Sequence, residues 1–125
     1  MDDANVPSLL SMPYLGYCKK EDTLYQHTRS FILSHHNPYY YQGTCASGIG
    51  SPHTSKNYIW HIALSMQGLT GTKEEAKKMI NLILETSNNE GLCHEGFNKD
   101  EPSEYTRFWF AWANSLLLVS KIKLI

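Results

Sequence analysis

Apolar and polar positions change rhythm several times along the chain. Between residues 57 and about 67, Tyr58, Ile59, Trp60, Ile62, Ala63, Leu64 and Met66 leave almost no polar side, and a helix without a polar face is a buried one. The next stretch is different. Ala76, Met79, Ile80 and Ile83 form one stripe, with Lys73, Lys77, Lys78 and Asn81 opposite, the pattern of a surface helix with one face inward. Thr72-x-x-Glu75 predicts a capping box at its start, and the turn-forming run 87–91 ends it. A third segment, from Ser103 or Glu104 to about Lys121, is again apolar nearly all round and predicts a second buried helix.

The first half is more broken. Pro7 suits the first turn of a short helix over residues 8–12, which Pro13 and Gly16 end. Asp22 is placed to N-cap a helix from Thr23 to about Ser34, with Leu24, Thr28, Phe31 and Ile32 near helical spacing. Pro38 then pushes Asn37 out of the helical region, and Tyr39-Tyr40-Tyr41 reads as extended. Residues 43–56 form a long loop with three glycines, Pro52 and His53; loops of that length usually serve a function or lack order.

Buried helix, amphipathic helix, buried helix is an alternation that predicts an all-α fold of paired inner and outer helices, because an inner ring is covered on both sides. The loops carrying Asp2-Asp3, His53 and Glu95 would all enter inner helices at their N-terminal ends. If those helices run parallel, the loops share one rim, where free amide groups favour acceptor ligands.

Composition narrows the partners. Net charge is −1, which leaves no electrostatic footprint for nucleic acid or an anionic membrane. The longest apolar run, residues 108–119, contains Asn114 and Ser115 and falls short of the ~20 residues that span a bilayer. Cys18, Cys45 and Cys93 form an odd set with no CxxC and no secretory leader, predicting reduced thiols in a soluble, cytoplasmic protein. The spacings of His35, His36, Cys45, His53, Cys93 and His94 match no zinc pattern, so no metal or other cofactor is expected.

Eight Tyr, four Phe and three Trp direct attention to residues 91–114, GLCHEGFNKDEPSEYTRFWFAWAN. Glu95 lies in a loop bracketed by Gly91 and Gly96, ahead of Tyr105, Arg107, Phe108, Trp109, Phe110 and Trp112. Rings stack on the apolar face of a sugar and charged groups bond its hydroxyls, so this combination suits a carbohydrate pocket. Glu95 then reads as a general acid or base, or as an ordinary loop carboxylate. His53 reads as a ligand hydrogen-bonding group or as a solvated loop histidine. Trp112 is expected inside, with Phe108 or Trp109 at the rim.

The segments DDANVPSLLSMPYLGY, TRSFILS-x-x-NPYYY-x-G, GIGSPHTSKNYIW, HEGF and YTRFWFAWANS, spread over essentially the whole chain, resemble the C-terminal part of glycoside hydrolase family 125. The resemblance implies the C-terminal portion of an (α/α)6 barrel, an incomplete toroid in which residues 1–125 are one fragment of a single glycosidase domain. It implies a metal-independent, inverting exo-α-1,6-mannosidase acting on non-reducing-end mannose of a glycan. Glu95 would be the general base, and Asp2, Asp3, Asn5, Ser51, His53, His94 and Arg107 would belong to the mannose pocket. His61, Cys93 and Gly96 depart from the residues usual in the family. In the family the general acid precedes the DDAN segment, so a chain starting there would lack it and be nearly inactive alone. Two other readings stay open: a non-catalytic mannose-binding or helical interaction module, and a degenerate fragment that self-associates through exposed inner-helix surface.

Overall fold

The computed structural model describes residues 5–6, 9–88 and 91–125. Its elements run α1 (Thr23–Ile32), β1 (Tyr40–Gln42), β2 (Ser47–Ile49), β3 (Tyr58–Trp60), α2 (His61–Leu69), α3 (Lys73–Thr86), β4 (Gly96–Asn98), β5 (Tyr105–Thr106) and α4 (Ala111–Lys123). The all-α expectation is therefore wrong. The fold is mixed α/β, with four helices and two antiparallel sheets among the described residues, not a portion of an all-α (α/α)6 barrel. The strands are two or three residues long, too short to show the period of two that marks a strand in sequence. β3 leads directly into α2, so the two read as one helical run. β5 and the extended residues after it occupy the first part of the helix expected from residue 103, and α4 begins only at Ala111.

The expected helix starts hold better. Asp22 Oδ1 accepts the Tyr25 N–H at 3.1 Å, and Thr72 Oγ1 accepts the Glu75 N–H at 3.1 Å. The Glu75 carboxylate goes elsewhere, to Arg29 at 2.9 Å and Gln67 at 3.0 Å, tying α1 to α2 and α3. α1 buries Ile32, which belongs to the anticipated stripe, but takes Tyr25 inward in place of its neighbour Leu24, and Leu24 and Phe31 stay exposed. The reason is polar: the Tyr25 hydroxyl donates to Leu10 O at 2.7 Å, and Arg29 donates to Gln67 O at 2.9 Å. Residues 9–16 form turns rather than a short helix.

α2 lies between two apolar clusters. Leu64 packs with Ile59, Ile83, Phe97 and Leu117, and Ala63 and Met66 pack with Leu10, Ile32 and Ile49. Fully buried Leu64 and Ile83 each contribute roughly 1.5–3 kcal/mol. α3 is amphipathic as read, with Met79, Ile80 and Ile83 inward. The glycine-rich segment after β1 is not a free loop. It holds β2, and at Gly50 a Cβ would come within 2.2 Å of Tyr58 O and 2.6 Å of the Tyr41 ring, so only glycine lets the two sheets approach.

Trp60 and Phe110, just ahead of α2 and α4, meet edge-to-face at 6.1 Å, and Leu69 and Leu124, at the other ends, line a common cavity. α2 and α4 thus run in the same direction. α3 returns antiparallel to α2, since Thr86 near its end bonds His61 at the start of α2. α4 buries only Ala113, Leu117 and Ser120. Trp112, expected inside, is 70% exposed, and Leu118 and Ile122 share its exposure.

Candidate active site

Sheet register builds the centre of the site. Trp60, Gly96 and Thr106 form one row across β3, β4 and β5. One step beyond the antiparallel β4–β5 ladder, the next residues are Glu95 and Arg107, so the chain must bring them opposite one another. Arg107 Nε donates to Glu95 Oε2 at 3.1 Å. The Glu95 side chain is 17% exposed and that of Arg107 63%, a half-sunk carboxylate under an open guanidinium. The backbone is held too: Glu95 N–H donates to Thr106 O at 3.1 Å, and Gly96 N–H donates to Thr106 Oγ1 at 3.1 Å.

Gly96 is no hinge. It is buried in β4, and a Cβ there would lie 3.2 Å from the Trp60 ring and 3.4 Å from Thr106 Oγ1. The missing side chain seats the Glu95 loop tightly on Trp60. Arg107 carries the local strain, with φ at 55°, a left-handed conformation uncommon for a side-chain-bearing residue. Its guanidinium lies 5.9 Å from the centroid of the Phe110 ring.

His94 is fully buried. Its Nδ1 faces Arg107 O at 3.1 Å and Phe108 O at 3.0 Å; two carbonyl acceptors assign the proton to Nδ1. The ring stacks on Tyr105 at 3.9 Å, nearly parallel. Burial, with neighbouring His94 second, lowers the His61 pKa from its ordinary 6.5 to about 3. Folded His61 is therefore neutral where the unfolded chain takes up a proton. Its contribution to stability is full above pH 6.5 and lost as pH falls toward 3, at up to about 1.4 kcal/mol per pH unit. Between pH 7 and pH 5 the loss is roughly 2 kcal/mol. Urea midpoints at the two pH values should show it, and His61→Asn, which cannot titrate, should remove that part of the dependence; an unchanged dependence would exclude His61 as its source.

Cys93 is fully buried, and that burial pushes its thiol up to about 11. Asn114 does more than its place in an apolar helix suggested. Its side chain accepts the Cys93 N–H at 3.1 Å and donates to Phe110 O at 2.9 Å, fastening α4 to the Glu95 loop. A lone amide in an otherwise apolar run was the available signal.

The structure brings several of the anticipated residues around Trp60. His53 is exposed, with its ring 6.5 Å from that of Trp60. Buried Ser51 accepts the His53 N–H at 3.2 Å, and the Trp60 indole donates to Thr54 Oγ1 at 2.9 Å. Asn5 is brought near Ser51 by the Val6 N–H bond to Gly50 O at 3.2 Å. Asp2 and Asp3 lie outside the described residues. Phe108 and Trp109 are about half exposed, so the rings form an open rim. Among the described residues no helix is long and apolar enough to cross a membrane.

Comparison with known proteins agrees on one family. The family model for metal-independent alpha-mannosidases (GH125) matches residues 1–120. A solved Streptococcus pneumoniae metal-independent alpha mannosidase, in a non-productive substrate complex with alpha-1,6-mannobiose, superposes with a TM-score of 0.94 at 50% identity, over 99% of this chain and 29% of that one. The Schizosaccharomyces pombe Meiotically up-regulated gene 157 protein is 44% identical over 118 residues, 93% of this chain and 23% of that protein. The chain thus spans under a third of each relative's length. With its match running through the Glu95 loop and the Arg107 turn, the chain belongs to the GH125 family of metal-independent alpha-mannosidases.

Proposed function

We propose that this chain supplies the general base and part of the sugar pocket of an inverting exo-α-1,6-mannosidase that removes mannose from non-reducing ends of a glycan. The observation that carries the proposal is the Glu95–Arg107 pair, at 3.1 Å beside exposed rings. Support comes from the alpha-1,6-mannobiose in the 50% identical relative. In this reaction the Glu95 carboxylate takes a proton from water as its oxygen bonds the anomeric carbon. A second carboxyl group protonates the leaving O6 from the other side, at ~6.5–9.5 Å so that water fits. Arg107 keeps the base turned toward the water. His53 and Asn5 meet sugar hydroxyls, with Asp2 and Asp3 completing the pocket; Ser51 shapes the His53 turn, and buried His94 sets backbone rather than touching sugar.

The acid comes from protein outside these residues. Several other carboxylates are engaged away from Glu95: Asp22 with the Tyr25 N–H, Glu75 with Arg29, Glu101 with Ser103, Glu104 with Asn98, and Asp100 with Thr44 and Lys99. The exposed face of α4, with Trp112, Leu118 and Ile122, supports a second reading, a non-catalytic mannose-binding or helical interaction module. Proton NMR of α-1,6-mannobiose hydrolysis, using protein that includes the remaining length of the family domain, separates them. β-Mannose as the first anomer formed is expected. First-formed α-mannose would overturn inversion, and binding without turnover would favour the module.

A further inference from the structure

The backbone carrying Glu95 is set from behind by a side chain that never reaches solvent. The His94 N–H donates to His61 Nδ1 at 2.8 Å, so Nδ1 holds the lone pair and the proton sits on Nε2. That nitrogen lies 2.9 Å from Thr86 Oγ1, and the Thr86 hydroxyl gives its own hydrogen to Leu82 O at 2.7 Å. The chain of donors therefore runs one way, from His61 into the last turns of α3. The His61 ring is packed between His94, at 5.5 Å, and Phe97, at 4.8 Å. On the other side of His94, its ring bonds Arg107 O, and the next N–H, that of Glu95, bonds Thr106 O. Both members of the Glu95–Arg107 pair are thus anchored through one histidine, and that histidine is anchored by His61.

We infer that His61, held in a single tautomer by Thr86, is a positioning residue for Glu95: its Nδ1 fixes the peptide entering His94, and with it the direction in which the carboxylate leaves the sheet. This rests on reading Glu95 and Arg107 as part of a mannose pocket. Any side chain that fills the space would serve packing alone; only one that presents an acceptor at the Nδ1 position serves positioning. Asn does so through Oδ1, and Leu does not. A buried N–H left without an acceptor is costly enough to move the backbone toward another partner.

The test compares His61→Leu, His61→Asn and Thr86→Val, in protein that includes the remaining length of the family domain, by backbone-amide NMR and by titration with α-1,6-mannobiose. His61→Leu is expected to shift the His94 and Glu95 amide signals and to weaken mannobiose binding about tenfold. His61→Asn should keep both closer to the parent than His61→Leu does, although both variants lose the Thr86 bond. If His61→Leu does not fold, Thr86→Val decides the matter: freed Nε2 lets the ring turn, and the His94 amide signal must move. Equal behaviour of Leu and Asn, or unmoved amides in Thr86→Val, overturns the inference. Arg107→Ala in the same titration tests the pocket itself. Unchanged affinity there, or no binding by the parent protein, defeats the pocket reading while the amide signals still decide the role of His61.

Discussion

Replacing Glu95 with alanine is expected to lower kcat for α-1,6-mannobiose by about 10³-fold, within the ~10²–10⁴-fold range of a positioned acid or base, while KM changes little. Sodium azide should restore turnover. Azide is already an anion, so it attacks the anomeric carbon without a base, and the leaving oxygen still takes its proton from the separate acid. The product would be β-mannosyl azide, which identifies both the missing group and the face of attack. Glu95→Gln keeps an oxygen that can accept from Arg107 Nε, and so tests ionisation apart from shape; it should be as inactive as the alanine variant. Stability should hardly move, because the partner guanidinium is 63% exposed and such pairs contribute at most about 1 kcal/mol. A variant keeping more than a tenth of parent kcat, or azide giving no new product, would remove Glu95 from the role of base. The measurement uses protein that includes the remaining length of the family domain.

The central pair of the candidate site is legible in the sequence because it depends on side-chain chemistry carried locally. Glu95 and Arg107 stand out as charges among rings, and β4–β5 register brings them opposite each other. Helix starts are legible for the same local reason, since Asp22 and Thr72 satisfy amides three residues away. What escapes is decided over distance. Trp60, Gly96 and Thr106 align only because three strands too short to show a period happen to pair. His61 looks like one polar residue in an apolar run, yet its meaning lies 33 positions away at His94. Gly96 reads only as a bracket of the Glu95 loop, yet it marks a close contact with Trp60. Trp112 looks like core by composition, but α4 turns inward the face carrying Ala113 and Leu117 instead. An apolar pattern states which residues can be buried, not which neighbours are there to bury them.

Arg107 should separate stability from activity more sharply than any other position. Its φ of 55° costs a residue with a Cβ roughly 1–2 kcal/mol. Arg107→Gly removes that strain together with an exposed ion pair of at most about 1 kcal/mol, so the midpoint of urea unfolding should be unchanged or slightly raised. Arg107→Ala keeps the strain and loses the pair and the contact with Phe110, and should be less stable than the glycine variant by about 1 kcal/mol. Both should lose kcat/KM for α-1,6-mannobiose by about 10²-fold, since a reacting group misplaced by about 1 Å costs that much. The two scales diverge because the strained turn aims the guanidinium at Glu95 while adding nothing to folding, which is how strain at a functional site is recognised. If Arg107→Gly retained activity within a few-fold of the parent, the guanidinium would be a surface charge and the orientation of Glu95 would rest on the Thr106 and His61 bonds alone.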